Sequence, residues 1–187
     1  MIDVLALFRQ SGALHEGHFR LSSGLHSSGY LQCALVLQHP EHAAPLGSAL
    51  ADALRDLNPT VVLSPALGGL IIGHEVARAL GVRAIFAERQ ESVLTLRRGF
   101  TLSADDRVVV IEDVVTTGGS TRETMVVARQ AGATVVGAGS IIDRSGGSSS
   151  LDVPFRALVA LALPTYDPAS CPLCAAGQPV TKPGSRA

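Results

Sequence analysis

The sequence has no tryptophan, and only 4% of its 187 residues are aromatic. Lysine is almost missing as well: of the 15 basic residues, Lys182 alone is a lysine and the rest are arginine. Any charged donor to a phosphate in the folded core must therefore be Arg or, less often, His. Charge of either sign is nearly balanced, with a net charge of −1 and a pI near 6.6. That argues against a broad nucleic-acid or membrane surface. No apolar run approaches the ~18 residues needed to span a bilayer. Residues 1–10 lack the basic start and apolar core of a secretory signal. Cysteines number 3, an odd count that argues against a disulfide framework. These absences lead to the expectation of a cytoplasmic protein. What is present, 47% apolar and 17% charged residues, suits one sizeable globular core.

Residues 108–124 organise the chain: Val-Val-Val-Ile-Glu-Asp-Val-Val-Thr-Thr-Gly-Gly-Ser-Thr-Arg-Glu-Thr. The β-branched run 108–111 predicts a strand buried on both faces, with Glu112 and Asp113 at its end. Small residues 116–121 then lead into a helix that ends at Gly132. Small side chains let backbone N–H groups approach an anion, and the helix N-terminus adds partial positive charge, so a phosphate is the natural guest. The spacing matches neither a Walker loop nor a dinucleotide fingerprint. Two acids just ahead of a phosphate cradle suit a ligand with hydroxyls at one end and a phosphate at the other, a ribose 5-phosphate. A structural strand–turn–helix would explain the Gly-Gly but not the acids and the Thr/Ser run together. The stretch resembles the phosphoribosyl pyrophosphate (PRPP) signature of type I phosphoribosyltransferases.

The remaining segments fall into an α/β order. Residues 3–9 predict a short amphipathic helix with Val4, Leu5 and Phe8 on one face. Residues 17–30, Gly-His-Phe-Arg-Leu-Ser-Ser-Gly-Leu-His-Ser-Ser-Gly-Tyr, are rich in turn formers and alone would read as a surface hairpin. They resemble the Phe-x-Leu-x-Ser-Gly-x-x-Ser signature of orotate phosphoribosyltransferases, where this part forms a hood over the base. Some members carry Lys where Ser22 stands. Residues 41–57 have helical periodicity with Pro45 in about the first turn, and Asn58-Pro59 stops them. Residues 60–63 predict a strand running into a second Gly-rich loop, Ser64-Pro65-Ala66-Leu67-Gly68-Gly69, and a helix over 70–80 ended by Gly81. Two such loops on one carboxyl edge suit a ligand with two phosphate centres. Residues 83–87 predict a strand, 93–96 a short hairpin arm and 97–99 its return. Residues 134–142 predict a strand ending in Asp143-Arg144, and 155–162 a last strand. An Arg at that strand end suits a carboxylate through a bidentate fork. Cys171-Pro172-Leu173-Cys174 is a single Cys-x-x-Cys, which alone is weak support for zinc and lacks the helix context of a redox motif. It is closer to family tails with Cys-Pro-Leu-Cys and a Lys-Pro-Gly-Ser-Arg ending.

The resemblance implies the type I phosphoribosyltransferase fold: a parallel-dominated sheet flanked by helices, with a small hood. Residues 1–187 would form one domain, with about 1–40 and part of the tail as hood and about 41–165 as core. The implied reaction converts orotate and PRPP to orotidine 5′-monophosphate and pyrophosphate in pyrimidine biosynthesis. Glu112, Asp113 and Arg89 would be catalytic. Thr116, Thr117, Gly118, Gly119 and Ser120 would hold the 5-phosphate. Ala66, Leu67, Gly68, Gly69, Arg89, Arg97 and Arg98 would hold pyrophosphate. Some relatives place Lys where Gly69 stands, so here backbone N–H groups and Arg would do more. Thr116, Arg144 and Ser22 would contact orotate. Mg²⁺ would come with PRPP, without a direct protein ligand. Many members carry a longer mobile loop with Lys and His where this chain has Leu-Arg-Arg-Gly-Phe. Members are usually homodimers whose arm reaches the partner's site, and neither nucleic acid nor membrane is implied. Two alternatives stand beside this reading. A purine phosphoribosyltransferase would leave Arg144 and residues 17–30 without a clear role. A non-catalytic PRPP-binding regulator would call for an added nucleic-acid surface.

Overall fold

A computed structural model describes residues 2–21, 23–147 and 149–183. Helix α1 (Val4–Gln10) starts at Asp3, whose Oδ1 accepts from the Ala6 N–H at 2.9 Å, and it buries Val4 and Phe8. Strands β1 (Leu14–Arg20) and β2 (His26–Leu31) form an antiparallel hairpin. A short helix α2 (Cys33–Leu37) leads into α3 (Pro40–Leu54). Then the apolar runs alternate with helices: β3 (Val61–Pro65), α4 (Gly69–Leu80), β4 (Arg83–Gln90), β5 (Val93–Leu96), β6 (Arg107–Val115), α5 (Gly119–Gln130), β7 (Thr134–Asp143) and β8 (Phe155–Ala160). The two-residue β9 (Thr165–Tyr166) returns to pair with β2, and α6 (Pro172–Ala175) lies in the tail.

The main sheet has the order β5-β4-β3-β6-β7-β8, parallel throughout except for β5. Its central strands β3, β6 and β7 are apolar on both faces because helices cover both. Val62, Val109 and Ile111 face α3 and α4, packing with Leu46, Leu50, Leu54, Ile72 and Val76. Val61, Leu63, Val108 and Val110 face α5, packing with Met125 and Ala128. Gly73 lets α4 lie close on the sheet: a Cβ there would collide with Ser64 Oγ. The chain builds the sheet outward from β3, with β4 on one side and β6 on the other. The β3–α4 and β6–α5 loops therefore emerge side by side at the carboxyl edge, where the strand order reverses.

Some boundaries differ from the sequence-based expectation. Strand β6 does not stop before the acid pair: Glu112 pairs with Ser140 and Val115 with Asp143 in parallel register with β7. Val114 and Val115 resume the apolar pattern, so both acids lie within the strand. Residues 93–96 are themselves the return strand of the arm, with Gln90 opposite Val93. The turn is Glu91-Ser92, with φ of 49° and 73°, the double left-handed pattern of a tight hairpin. Residues 97–99 lie beyond that hairpin. Helix α3 begins at Pro40, whose fixed φ suits the first helical position, which places Pro45 in the second turn. Buried Leu46, Leu50, Ala51 and Leu54 carry the helix past it.

Candidate active site

Where the two loops meet, a cleft of about 280 Å³ is lined by Ala66, Gly68, Arg89, Glu112, Asp113 and Ser120 among others. The first loop is pressed onto β6. A Cβ on Gly68 would lie 2.8 Å from Asp113 Oδ1, and one on Gly69 would lie 2.7 Å from the Ile111 carbonyl oxygen. No side chain, a Lys at 69 included, fits those positions with this backbone. Leu67 is exposed, and the Ala66–Leu67 peptide bond is cis. In the second loop Thr116 and Thr117 are exposed, and Gly118 takes a left-handed φ of 73° to start α5. The Arg122 N–H donates to the Gly118 carbonyl at 2.9 Å. The N–H groups of Gly119, Ser120 and Thr121 thus open the helix with no intrahelical acceptor, a backbone cradle for an anion.

The acid pair is held away from water. Glu112 is buried, and burial pushes its carboxyl up to about 7; the neighbouring Asp113 adds to the rise, and a hydrogen bond donated by Ser120 Oγ opposes it. Burial also raises Asp113, against hydrogen bonds from the Val114 N–H at 2.8 Å and the Cys33 thiol. Burial and Asp113 together push that thiol well above its ordinary range. Among the described residues, no third His, Cys, Asp or Glu joins the pair in a metal-ligating group. Two carboxylates without a cage fit Mg²⁺, which keeps waters and shares its remaining positions with ligand phosphates.

The arginines divide. Arg89 lines the cleft, donating to the Ser92 carbonyl at 2.6 Å and to Glu123 Oε2 at 2.7 Å. Arg97 and Arg98 both pair with Glu88, at 3.2 and 2.9 Å, and Arg98 lies 5.7 Å from the Phe86 ring centroid. Adjacent strand residues face opposite ways, so Glu88 draws these two to the side away from Arg89. Arg144 follows β7 directly, and its N–H donates to the Val115 carbonyl at 2.8 Å. Its Nε is buried without a hydrogen-bond partner, and burial lowers the guanidinium from its ordinary value.

Residues 34–157 match the phosphoribosyl transferase domain family. The orotate phosphoribosyltransferase of Pelotomaculum thermopropionicum is 51% identical over 98% of this chain and 97% of its own. That of Carboxydothermus hydrogenoformans is 53% identical over 99% and 98%. The chain belongs to the orotate phosphoribosyltransferase family. A solved orotate phosphoribosyltransferase from Aeropyrum pernix superposes with a TM-score of 0.72 at 25% identity, over 84% of this chain and 93% of that one. With the sheet order above, this is the type I phosphoribosyltransferase fold.

On this orotate phosphoribosyltransferase frame, the structure gathers Ala66, Gly68, Arg89, Glu112, Asp113 and Ser120 around one cleft. Leu67, Gly69, Thr116, Thr117, Gly118 and Gly119 belong to the same two loops, and Arg144 is tied by its backbone to the end of β6. Arg97 and Arg98 are not among the residues that line the cleft. Ser22 lies outside the described residues. Cys33, whose thiol donates to Asp113, carries no functional signal in the sequence. It sits in a short apolar stretch and reads as core; only the folded path of α2 brings it under the acid pair.

Proposed function

We infer that this chain joins the ribose C1 of PRPP to N1 of orotate, giving orotidine 5′-monophosphate and pyrophosphate. The observation that carries this reading is the cleft at the β3/β6 switch point, where buried Glu112 and half-buried Asp113 lie between two backbone cradles. The phosphate of the ribose would sit on Thr116, Thr117, Gly118, Gly119 and Ser120, fixing C1 toward the base. Glu112 and Asp113 would accept hydrogen bonds from the ribose hydroxyls. As the C1–oxygen bond to pyrophosphate breaks, positive charge grows on the sugar, and the two carboxylates favour it. Mg²⁺, carried in by PRPP without a direct protein ligand, would supply charge to the departing pyrophosphate, next to the ribose hydroxyls that Glu112 and Asp113 hold. Backbone groups of Ala66, Leu67, Gly68 and Gly69 and the guanidinium of Arg89 would hold that leaving group. The new bond forms from orotate N1 as an anion, so no general base is needed.

Arg144 would take the orotate carboxylate, with Thr116 and Ser22 completing the base site. A buried guanidinium nitrogen without a partner supports this, since such a donor is costly until a ligand fills it. Arg97 and Arg98 would reach pyrophosphate by leaving Glu88 or by crossing into the partner's site in a homodimer. Residues 1–187 would act as a single cytoplasmic domain, the β1-β2-β9 sheet serving as hood. The test is loss of orotate absorbance on mixing the protein with orotate, PRPP and Mg²⁺, with adenine, hypoxanthine and uracil in parallel. Turnover of orotate alone is expected. Saturable PRPP binding without turnover of any base would overturn the reading in favour of a regulator, and turnover of a purine would replace the substrate.

A further inference from the structure

Away from the cleft, the small sheet and the tail bring together four side chains that the reaction does not use. His18 lies on β1 and His26 on β2; Cys171 precedes α6 and Cys174 lies within it. One ligand atom from each stands within 4.8 Å of the others. His18 Nε2 is 2.8 Å from His26 Nδ1, and Cys174 Sγ is 3.3 Å from His26 Nδ1. Cys171 Sγ and Cys174 Sγ lie 3.6 and 3.7 Å from His18 Nε2. A tetrahedral zinc ion with its usual bonds to nitrogen and sulfur would set such separations at roughly 3.3–3.8 Å; the three sulfur–nitrogen distances already lie there, and the two imidazole nitrogens, at 2.8 Å, would move apart by about 0.5 Å to admit the ion. Both cysteines are free thiols.

Two further observations point the same way. His18 Nδ1 lies 2.8 Å from the Gln178 carbonyl oxygen, which can only accept, so Nδ1 carries the ring proton. The Nε2 lone pair of the neutral ring is thereby turned into the cluster, the arrangement in which backbone carbonyls orient metal-bound histidines. The second observation is the tail itself. Across residues 167–183 the one buried residue is Cys171, so no apolar core holds this segment down. Thr181 is stitched to β1 by Arg20 N–H to Thr181 O at 2.8 Å and Thr181 N–H to His18 O at 2.9 Å. Around α6, the cluster takes the place of a core.

We propose that His18, His26, Cys171 and Cys174 bind one structural Zn²⁺, which staples the tail to the N-terminal hairpin. Four protein ligands close the coordination shell, so the ion holds structure and activates no water. Thiolate and imidazole select zinc over the oxygen-seeking Mg²⁺ that suits PRPP, so the two ions do not compete. On binding, the two thiols release their protons to solvent and the histidines bind neutral. The second pair of ligands is two histidines on a hairpin, remote in sequence from the Cys-x-x-Cys, which is why the motif alone did not disclose the site.

The experiment is elemental analysis of the full chain, purified under reducing conditions without chelator. About one zinc per chain is expected, unchanged in Cys33→Ser and largely lost in Cys174→Ser, where the exposed position keeps packing intact. His26→Asn is the second variant with the same expected loss. Chelator-stripped protein given Co²⁺ should show tetrahedral d–d bands and a thiolate charge-transfer band, both absent in Cys174→Ser. Three results would each overturn the proposal. These are a chain that stays zinc-free after equilibration with Zn²⁺ under reducing conditions, zinc retained at full stoichiometry in Cys174→Ser, and an intact mass two hydrogens short from a Cys171–Cys174 disulfide.

Discussion

The acid pair shows what a single buried carboxyl can impose. Glu112 holds its proton to about pH 7 in the fold, against an ordinary value of 4.5. The folded chain therefore keeps a proton that the unfolded chain has already lost between those two values. The Glu112 contribution to the stability of the ligand-free protein should be greatest below about pH 4.5 and fall as pH rises toward 7, by roughly 3 kcal/mol. Asp113, raised by the same burial, works in the same direction. Urea unfolding at several pH values should show Glu112→Gln with a distinctly flatter dependence than the natural chain; identical slopes would contradict the burial argument. The ribose contact proposed for the neighbouring acid has its own test. Asp113→Asn should lower turnover by about 100-fold or more with an unchanged circular dichroism spectrum. Near-normal turnover in that variant would remove the ribose role from the pair.

At the scale of elements, legibility followed the strength of the local pattern. The β6–loop–α5 unit could be read because a β-branched run, two acids and a small-residue stretch stand together. The α4 boundaries could be read because Gly81 supplies its left-handed cap, with φ of 74°. The turn of the arm is hard to read from sequence because Glu91-Ser92 lacks the Asn-Gly chemistry that usually marks a two-residue hairpin, although both residues take positive φ. Replacing Glu91-Ser92 by Asn-Gly should therefore stabilise the chain by about 1 kcal/mol, or about 2–4 °C in Tm. A fall in Tm would show that the turn has another geometry in solution. Helix α2 and strand β9, at 5 and 2 residues, are too short for any periodicity to disclose. The Gly-rich first loop was legible as a loop, but its tight fit was not. The 2.8 Å approach of a Cβ on Gly68 to Asp113 is a property of packing between elements. Gly68→Ala should push the loop off β6 and lower kcat/KM for PRPP by about tenfold or more; an unchanged value would mean the loop relaxes without cost.

The whole molecule is arranged so that its chemistry gathers where the sheet reverses direction. Strands β3 and β6, adjacent in space but 40 or more residues apart in sequence, deliver both cradles to one edge. Strand β7 adds Arg144 alongside the end of β6 through its hydrogen bond to Val115. The sequence disclosed each part, and the fold supplies their meeting. It also shows the limit of reading loops singly, since Arg97 and Arg98 turn to Glu88 instead of the cleft. The central claim is that this edge binds a sugar phosphate on two cradles and chooses the base by its carboxylate through Arg144. The most direct test compares kcat/KM for orotate and for uracil, which lacks the carboxylate, in the natural chain and in Arg144→Ala. The account predicts strong preference for orotate in the natural chain. In the variant that preference should shrink by about tenfold or more, through a raised KM for orotate with little change in the KM for PRPP. An undiminished preference, or equal rises in both KM values, would contradict it.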